Sequence, residues 1–361
     1  MITEKKKLLI LMATCEIPNK KQEQILETLE DFGEDLDVEK VLRDKNFEQM
    51  LSTEEFHKIL KTYDRRTLNS MVENLEKQNY KILTTDDSEY PSRLLDLPER
   101  PLILFAKGDL SLTNQTSVAI VGTRMPSNYG KIVTARFAED LARAGFVIIS
   151  GLCYGVDEIS HRKTLEVGGK TIAVIASGFN NIYPAENTNL AEEIAENGLI
   201  LSEYPPSFKS KRYTFPKRNR IVAGLSDGVL ITEASMNSGT KHTKEYALEY
   251  GKDIFAVPGN ITNNKSELTN FIIKSGQAQC VTDAEDIISY YGMEKRAKKQ
   301  QVISLNFEEQ LIVDALKDGE KDFDFLTEKT QIPVNILNSY LTTLEIRGLI
   351  RKLPSQVYAL V

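Results

Sequence analysis

The feature that most constrains this chain is a series of short, often β-branched apolar runs that recur after Tyr80: 103–106, 118–121, 147–150, 171–175, 199–202, 228–232 and 253–257. Runs of four or five apolar residues suit strands buried on both faces, and the helical periodicity that fills most of the gaps supplies the crossovers that parallel strands need. The fold class that follows is α/β, a doubly wound and mostly parallel sheet.

On either side of this series the pattern changes. Between residues 21 and 78 apolar side chains fall at helical spacing, as in Ile25, Leu26, Leu29 and Phe32, then Leu68, Met71, Val72 and Leu75. Ser52-Thr53-Glu54-Glu55 has the form of a capping box, so an all-helical module is expected over 1–79. The sheet pattern ends near Tyr290, and the polar stretch 294–301 (EKRAKKQQ) places a linker at 293–304. Beyond it, Leu311, Ile312 and Leu316, then 323–329, then 334–346 mark three helices, and two apolar stretches around Pro354-Ser355 mark a hairpin. That combination over 305–361 suggests a winged helix. The 361 residues thus hold a central domain at 80–292 with two appendages, in keeping with about 150 residues per domain.

Composition narrows the function classes. At 41% hydrophobic and 27% charged residues the chain is globular, which excludes disorder or a coiled coil as a whole-chain reading. No stretch approaches the roughly 18 apolar residues of a spanning helix, so a cytoplasmic location without a membrane partner is expected. Cys15, Cys153 and Cys280 form no CxxC pair, and no metal or cofactor is expected. The net charge of -7 argues against a histone-like DNA binder, but it averages a polarised chain. Residues 1–60 carry 14 acidic against 9 basic side chains, whereas 207–220 (SFKSKRYTFPKRNR) carries Lys209, Lys211, Arg212, Lys217, Arg218 and Arg220 with no acid.

In an open parallel sheet ligands bind outside the carboxyl ends of the strands, which directs attention to the loops there. Gly122-Thr123-Arg124 follows one run and leads to a helix; glycine lets a backbone approach an anion, and Arg124 offers a planar fork for phosphate. Ser150-Gly151, with Gly155 and Asp157, forms a second such loop, and Ser238-Gly239-Thr240 a third. Asp157 is placed to cap its helix or orient Arg124, and His161 one turn on suggests a hydrogen bond rather than a metal site. The basic segment interleaves cations with Phe208, Tyr213 and Phe215, the combination of phosphate charge and base-stacking faces that single-stranded nucleic acid requires. A helix from Pro216 would put Arg218 and Arg220 in its first turn, where positive charge opposes the helix dipole unless an anion sits between them. Glu233 is a candidate for a sugar hydroxyl, for catalysis, or for pairing with Arg218 or Arg220.

Taken in order, Tyr90-Pro91, Val121-Gly122-Thr123-Arg124, Tyr129-Gly130, Ser150-Gly151-Leu152, His161, Tyr183-Pro184, Ser202-Glu203-Tyr204-Pro205-Pro206, Phe215-Pro216-Lys217-Arg218-Asn219-Arg220, Glu233-Ala234, Ser238-Gly239-Thr240 and Ala256-Val257-Pro258-Gly259 resemble the DNA-processing protein A family, also called DprA or Smf. The resemblance implies an extended Rossmann-like domain, here flanked by an N-terminal helical module of SAM or helix-hairpin-helix kind. It also implies a non-enzymatic homodimer that binds single-stranded DNA and loads RecA recombinase in natural transformation. By position, Gly122, Thr123 and Arg124 would grip phosphate, and Lys211, Arg212 and Phe215 would meet the strand ahead of Arg218, Asn219 and Arg220. Lys241-His242-Thr243 and 266–270 depart from the family pattern. The helix at 334–347 carries only Glu345 and Arg347 as charges, which suits protein contacts as well as duplex DNA. The competing readings are a nucleoside monophosphate N-glycosidase of similar fold, using Glu233, and a nucleotide-sensing defence component.

Overall fold

A computed structural model describes residues 2–29, 36–293, 305–317, 319–347, 349–353 and 356–360. Among the described residues six α-helices open the chain: α1 (Glu4–Thr14), α2 (Asn19–Leu29), α3 (Val38–Leu42), α4 (Lys45–Gln49), α5 (Thr53–Thr62) and α6 (Arg65–Lys77). Short polar side chains set where most of them start. Thr3, Asp37, Asp44, Ser52 and Asp64 each accept a hydrogen bond from a first-turn N–H, and the Ser52 N–H donates in return to Glu55.

The sheet and its helices follow in the order β1 (Lys81–Thr84), β2 (Ile103–Gly108), β3 (Ser117–Val121), α7 (Asn128–Arg143), β4 (Val147–Ser150), α8 (Val156–Glu166), β5 (Thr171–Ile175), α9 (Thr188–Asn197) and β6 (Leu199–Ser202). Then come α10 (Thr214–Leu225), β7 (Gly228–Ile231), α11 (Thr240–Glu249), β8 (Asp253–Ala256), α12 (Glu267–Lys274), β9 (Gln279–Cys280) and α13 (Ala284–Tyr290). Strands β2 to β8 fall on the seven apolar runs. The nine strands lie in the order β1-β2-β6-β5-β4-β3-β7-β8-β9, antiparallel at β1/β2 and β2/β6 and parallel from β6 to β9.

Alternate residues of each strand look to opposite faces. Ala119, Val121, Val229 and Ile231 share a core with Ile221 and Val222 of α10, Ala247 of α11 and Ile272 of α12. Val118, Ile120 and Leu230 share another with Phe137 and Leu141 of α7, Val156 of α8 and Ile287 of α13. Helices therefore cover both faces, which is why the runs read as unbroken apolar sequence rather than alternation. The chain order runs outward from β3 in one direction through β4, β5 and β6 and in the other through β7, β8 and β9, so the strand order reverses between β3 and β7.

The N-terminal helices are not packed on one another alone. Leu8 to Met12 of α1 lie in a cluster that includes Ile82 of β1 and Ile103 and Phe105 of β2, and residues Met1–Arg296 form one compact unit. The second unit, Ala297–Val361, contains α14 (Phe307–Leu316), β10 (Lys321–Asp322), α15 (Phe323–Thr330), α16 (Val334–Ile346), β11 (Ile350–Leu353) and β12 (Val357–Leu360). Its strands form an antiparallel sheet in the order β10-β12-β11, with Ile312, Leu326, Leu337, Leu341 and Tyr358 in the core. Of the stretch read as a linker, 293–304, residues 294–304 lie outside the described residues. Among the described residues no helix is long and apolar enough to cross a membrane.

Candidate nucleic-acid interface

The reversal of strand order leaves a crevice at the carboxyl ends of β3, β4 and β7, the position at which open α/β sheets take ligands. Register brings its loops together. Val121 pairs with Ile231, the Thr123 N–H donates to Glu233 O at 2.7 Å, and the Val156 N–H donates to Thr123 O at 3.2 Å. Gly155 makes the second contact sterically feasible, because its φ is +77° and a Cβ there would stand 2.6 Å from the carbonyl oxygens of Thr123 and Arg124. The result is a groove of about 600 Å³.

Eleven of the fifteen residues expected to bind phosphate or DNA line it: Gly122, Thr123, Arg124, Gly151, Arg212, Phe215, Arg218, Asn219, Ser238, Gly239 and Thr240. Exposed Arg124 stacks its guanidinium 4.8 Å from the centre of the Phe215 ring, and Tyr183 packs edge-on against the same ring at 5.4 Å. This wall combines a cation with aromatic faces. Arg212 stands exposed at the rim. Arg218 is different, being 3% exposed. It donates from Nη1 to Gly151 O at 2.5 Å and to Val174 O, and its Nη2 lies 3.6 Å from the Cys153 sulfur. It therefore charges the floor of the groove without reaching out of it. A side chain on Gly151 would collide with that guanidinium, at 2.3 Å from Nη2.

Four expected residues lie elsewhere. Ser150 is buried and donates to Ile120 O at 2.7 Å, and Gly155 acts through the turn just described. Lys211 turns away from the groove to pair with Glu16 at 2.6 Å. Arg220, fully buried, pairs with Glu203 at 2.5 Å on the side facing α2, where Asn19 also donates to that carboxylate at 2.8 Å. Desolvation would raise the Glu203 carboxyl, but Arg220 and Lys217 outweigh it and hold the group below its ordinary range. The expectation that Arg218 and Arg220 share a first turn at an anion is corrected: α10 begins at Thr214, both arginines lie beyond its first turn, and two residues of helix turn them to different partners.

Other expectations change similarly. Of the three aromatics in the basic segment only Phe215 enters the groove, because Phe208 stacks on Tyr204 at 4.5 Å and the Tyr213 hydroxyl donates to Glu16. Glu233 pairs with neither arginine; its carboxylate accepts from the Ser127 N–H at 2.7 Å and the Ser127 hydroxyl at 2.6 Å, fixing the loop that carries Arg124. Asp157 accepts from the Cys153 N–H at 3.3 Å rather than capping α8 at its first residue. His161 is buried against the Thr171 hydroxyl at 2.7 Å, and desolvation, aided by Arg218, pushes its pKa down to about 3. The departing residues His242 and Thr243 line the groove, while Asn270 bridges both backbone groups of Gly259 at 3.1 Å. Cys153, with its thiol pushed up by burial, and Tyr183 also line the groove; neither type nor spacing singled them out, although Tyr183-Pro184 belonged to the resemblance. Among the described residues no group of three or more His, Cys, Asp or Glu side chains is placed to hold a metal ion.

The family model described as DNA recombination-mediator protein A matches residues 81–292, the whole of the sheet and the groove. The chain belongs to that family. Among relatives of this family member, Protein Smf of Escherichia coli is 35% identical over 310 residues, covering 81% of each chain. DNA processing protein DprA of Bacillus subtilis is 40% identical over 212 residues, covering 58% of this chain and 71% of the relative. The X-ray structure of DprA from Streptococcus pneumoniae superposes with a TM-score of 0.69 at 32% identity, covering 81% of this chain and 99% of that one. DNA processing protein A from Helicobacter pylori, a structure described for its single-stranded DNA binding mode, superposes with a TM-score of 0.54 at 36% identity over 59% of this chain and 95% of that one.

Proposed function

We propose that this protein binds single-stranded DNA along the groove at the carboxyl ends of β3, β4 and β7. The observation that carries the reading is the wall of Arg124, Phe215 and Tyr183 above a glycine-lined, positively charged floor. Flat faces stack unpaired bases while Arg124 and Arg212 meet phosphates. The single-stranded DNA binding mode described for the Helicobacter pylori relative supports the same ligand.

The family description supports a wider role. We propose that, as a recombination mediator, the chain protects incoming strands and loads RecA recombinase onto them during natural transformation and recombination, working in the cytoplasm as a homodimer. The mostly parallel sheet supports reading the central domain as extended Rossmann-like, and α14, α15 and α16 with a three-stranded antiparallel sheet support reading the second unit as a winged helix suited to a further contact. A binding role rather than catalysis is supported by Glu233, the candidate base of the N-glycosidase reading, whose carboxylate is committed to Ser127 and does not line the groove.

Fluorescence anisotropy with labelled single-stranded and duplex oligonucleotides tests this reading. Single-strand preference with a log–log salt slope of about -0.7 per neutralised phosphate, weakened by Arg124→Ala, is the expected result. Equal affinity of wild type and Arg124→Ala, or turnover of nucleoside monophosphates that Glu233→Gln abolishes, would overturn it. RecA loading is read from pull-down and strand-exchange assays, and dimerisation from a sedimentation mass twice that of the chain.

A further inference from the structure

Glu16, between α1 and α2, occupies a position that favours glycine. Its φ is +61°, its N–H donates to Ala13 O at 3.1 Å, and the Ile17 N–H donates to Met12 O at 3.0 Å. These are the two bonds of a Schellman turn, whose left-handed residue is strained when it bears a Cβ. A non-glycine residue held there directs attention to what its side chain does. The carboxylate gathers partners from two distant segments: Lys211 at 2.6 Å and the Tyr213 hydroxyl from the loop before α10, and Lys58 of α5 at 3.3 Å. Between the two latched loop residues stands Arg212. It lines the strand groove, whereas Tyr213 lines a separate cavity of about 370 Å³ together with Glu16, Asn19 and Lys217. Thr214 pins the same loop from its other end, donating to Lys211 O at 2.8 Å and accepting from the Lys211 N–H at 3.1 Å.

We propose that Glu16 is a positioning residue for strand binding: by holding Lys211 and Tyr213 on the helical side of the loop, it presents Arg212 to the groove. This rests on the strand-binding reading above. The sign of the effect separates it from simple electrostatics. An acid near a nucleic-acid path repels phosphate, so charge alone predicts that removing Glu16 tightens binding. Positioning predicts the opposite.

The experiment is anisotropy of a labelled oligothymidylate with wild type, Arg124→Ala, Glu16→Gln, Glu16→Gly, Arg212→Ala and the double variant Glu16→Gln/Arg212→Ala. Both Glu16 variants are expected to bind about three- to ten-fold more weakly, the loss for one charge-assisted contact loosened rather than removed. Glu16→Gly relaxes the strained turn, so a wild-type melting temperature beside weakened binding separates positioning from unfolding. In the Arg212→Ala background, Glu16→Gln is expected to change affinity by less than about two-fold, because the contact it positions is already gone. Equal or tighter binding by the Glu16 variants, or a loss that adds fully to that of Arg212→Ala, overturns the proposal and leaves the groove assignment standing. Failure of wild type to bind, or wild-type affinity in Arg124→Ala, overturns the groove assignment and the proposal with it.

Discussion

The basic segment at 207–220 has two sides with different fates. On the side facing the N-terminal helices, Lys211 pairs with Glu16, and Lys217 and Arg220 converge on Glu203. On the groove side, Arg212 and Arg218, with Arg124 opposite, form no ion pair among the described residues; Arg124 and Arg218 neighbour an aromatic ring, a thiol and backbone carbonyls, with the buried Asp157 carboxylate at longer electrostatic range. Cations that a fold has matched with acids hold the fold, and cations it leaves unmatched are available to an outside anion. Five of the segment's six positive charges therefore divide between stability and binding according to which way each side chain leaves the backbone.

The sharpest way to break this comparison is to exchange the expected effects. Arg220→Met leaves the buried Glu203 with Lys217, at 3.6 Å, and the neutral Asn19 amide as partners, and is expected to lose about 3 kcal/mol of unfolding free energy in urea while the folded fraction keeps its oligonucleotide affinity. Reduced affinity with unchanged stability would place Arg220 on the binding side. Phe215→Ala should do the reverse, costing about 1–3 kcal/mol of single-strand affinity with a smaller change in stability, as paired titration and denaturation would show.

The two sides also differ in acid. His161 lies behind the groove, and its folded pKa of about 3 is below the unfolded value of about 6.5, so the unfolded chain binds a proton that the folded chain does not. Stability should therefore fall as pH drops from about 6.5, by about 1.4 kcal/mol per pH unit, and His161→Gln should flatten that slope. Glu203 has linkage of the same sign in a lower pH window: its lowered carboxyl contributes stability that is fully present above the unfolded value and is lost as pH falls through the folded one. Urea midpoints at pH 6.5 and pH 5 should then change through His161 and not through Glu203. The smallest expected effect is on the salt slope. Arg124→Ala and Arg212→Ala should each make it less negative by about 0.7, and Lys211→Met should change it by less than either.

The strands were legible because a sheet covered on both faces leaves no polar alternation to confuse the pattern, as 118–121 and 147–150 show. Much of the groove was legible for a related reason, since the glycines and hydroxyls of 122–124, 151 and 238–240 fall directly after such runs. The orientation of α10 was not. Its residues from Arg220 to Leu225 are all buried, so no exposed stripe in the sequence tells which side Arg218 or Arg220 takes. The roles of Glu16, Glu203 and Glu233 were equally hidden, because each partner lies far away in the chain: Lys211, Arg220 and Ser127 are brought to them by tertiary packing.

Ile82, Ile103 and Phe105, buried beneath the N-terminal helices, set a limit on how the molecule can be dissected. A shortened chain beginning near residue 80 would bare these side chains to water, at about 25 cal/mol for each Å² uncovered. Such a fragment would be adhesive, and any self-association or capture of other proteins it displayed would report the surgery rather than the physiology. Partner mapping therefore belongs to point substitutions in the intact chain.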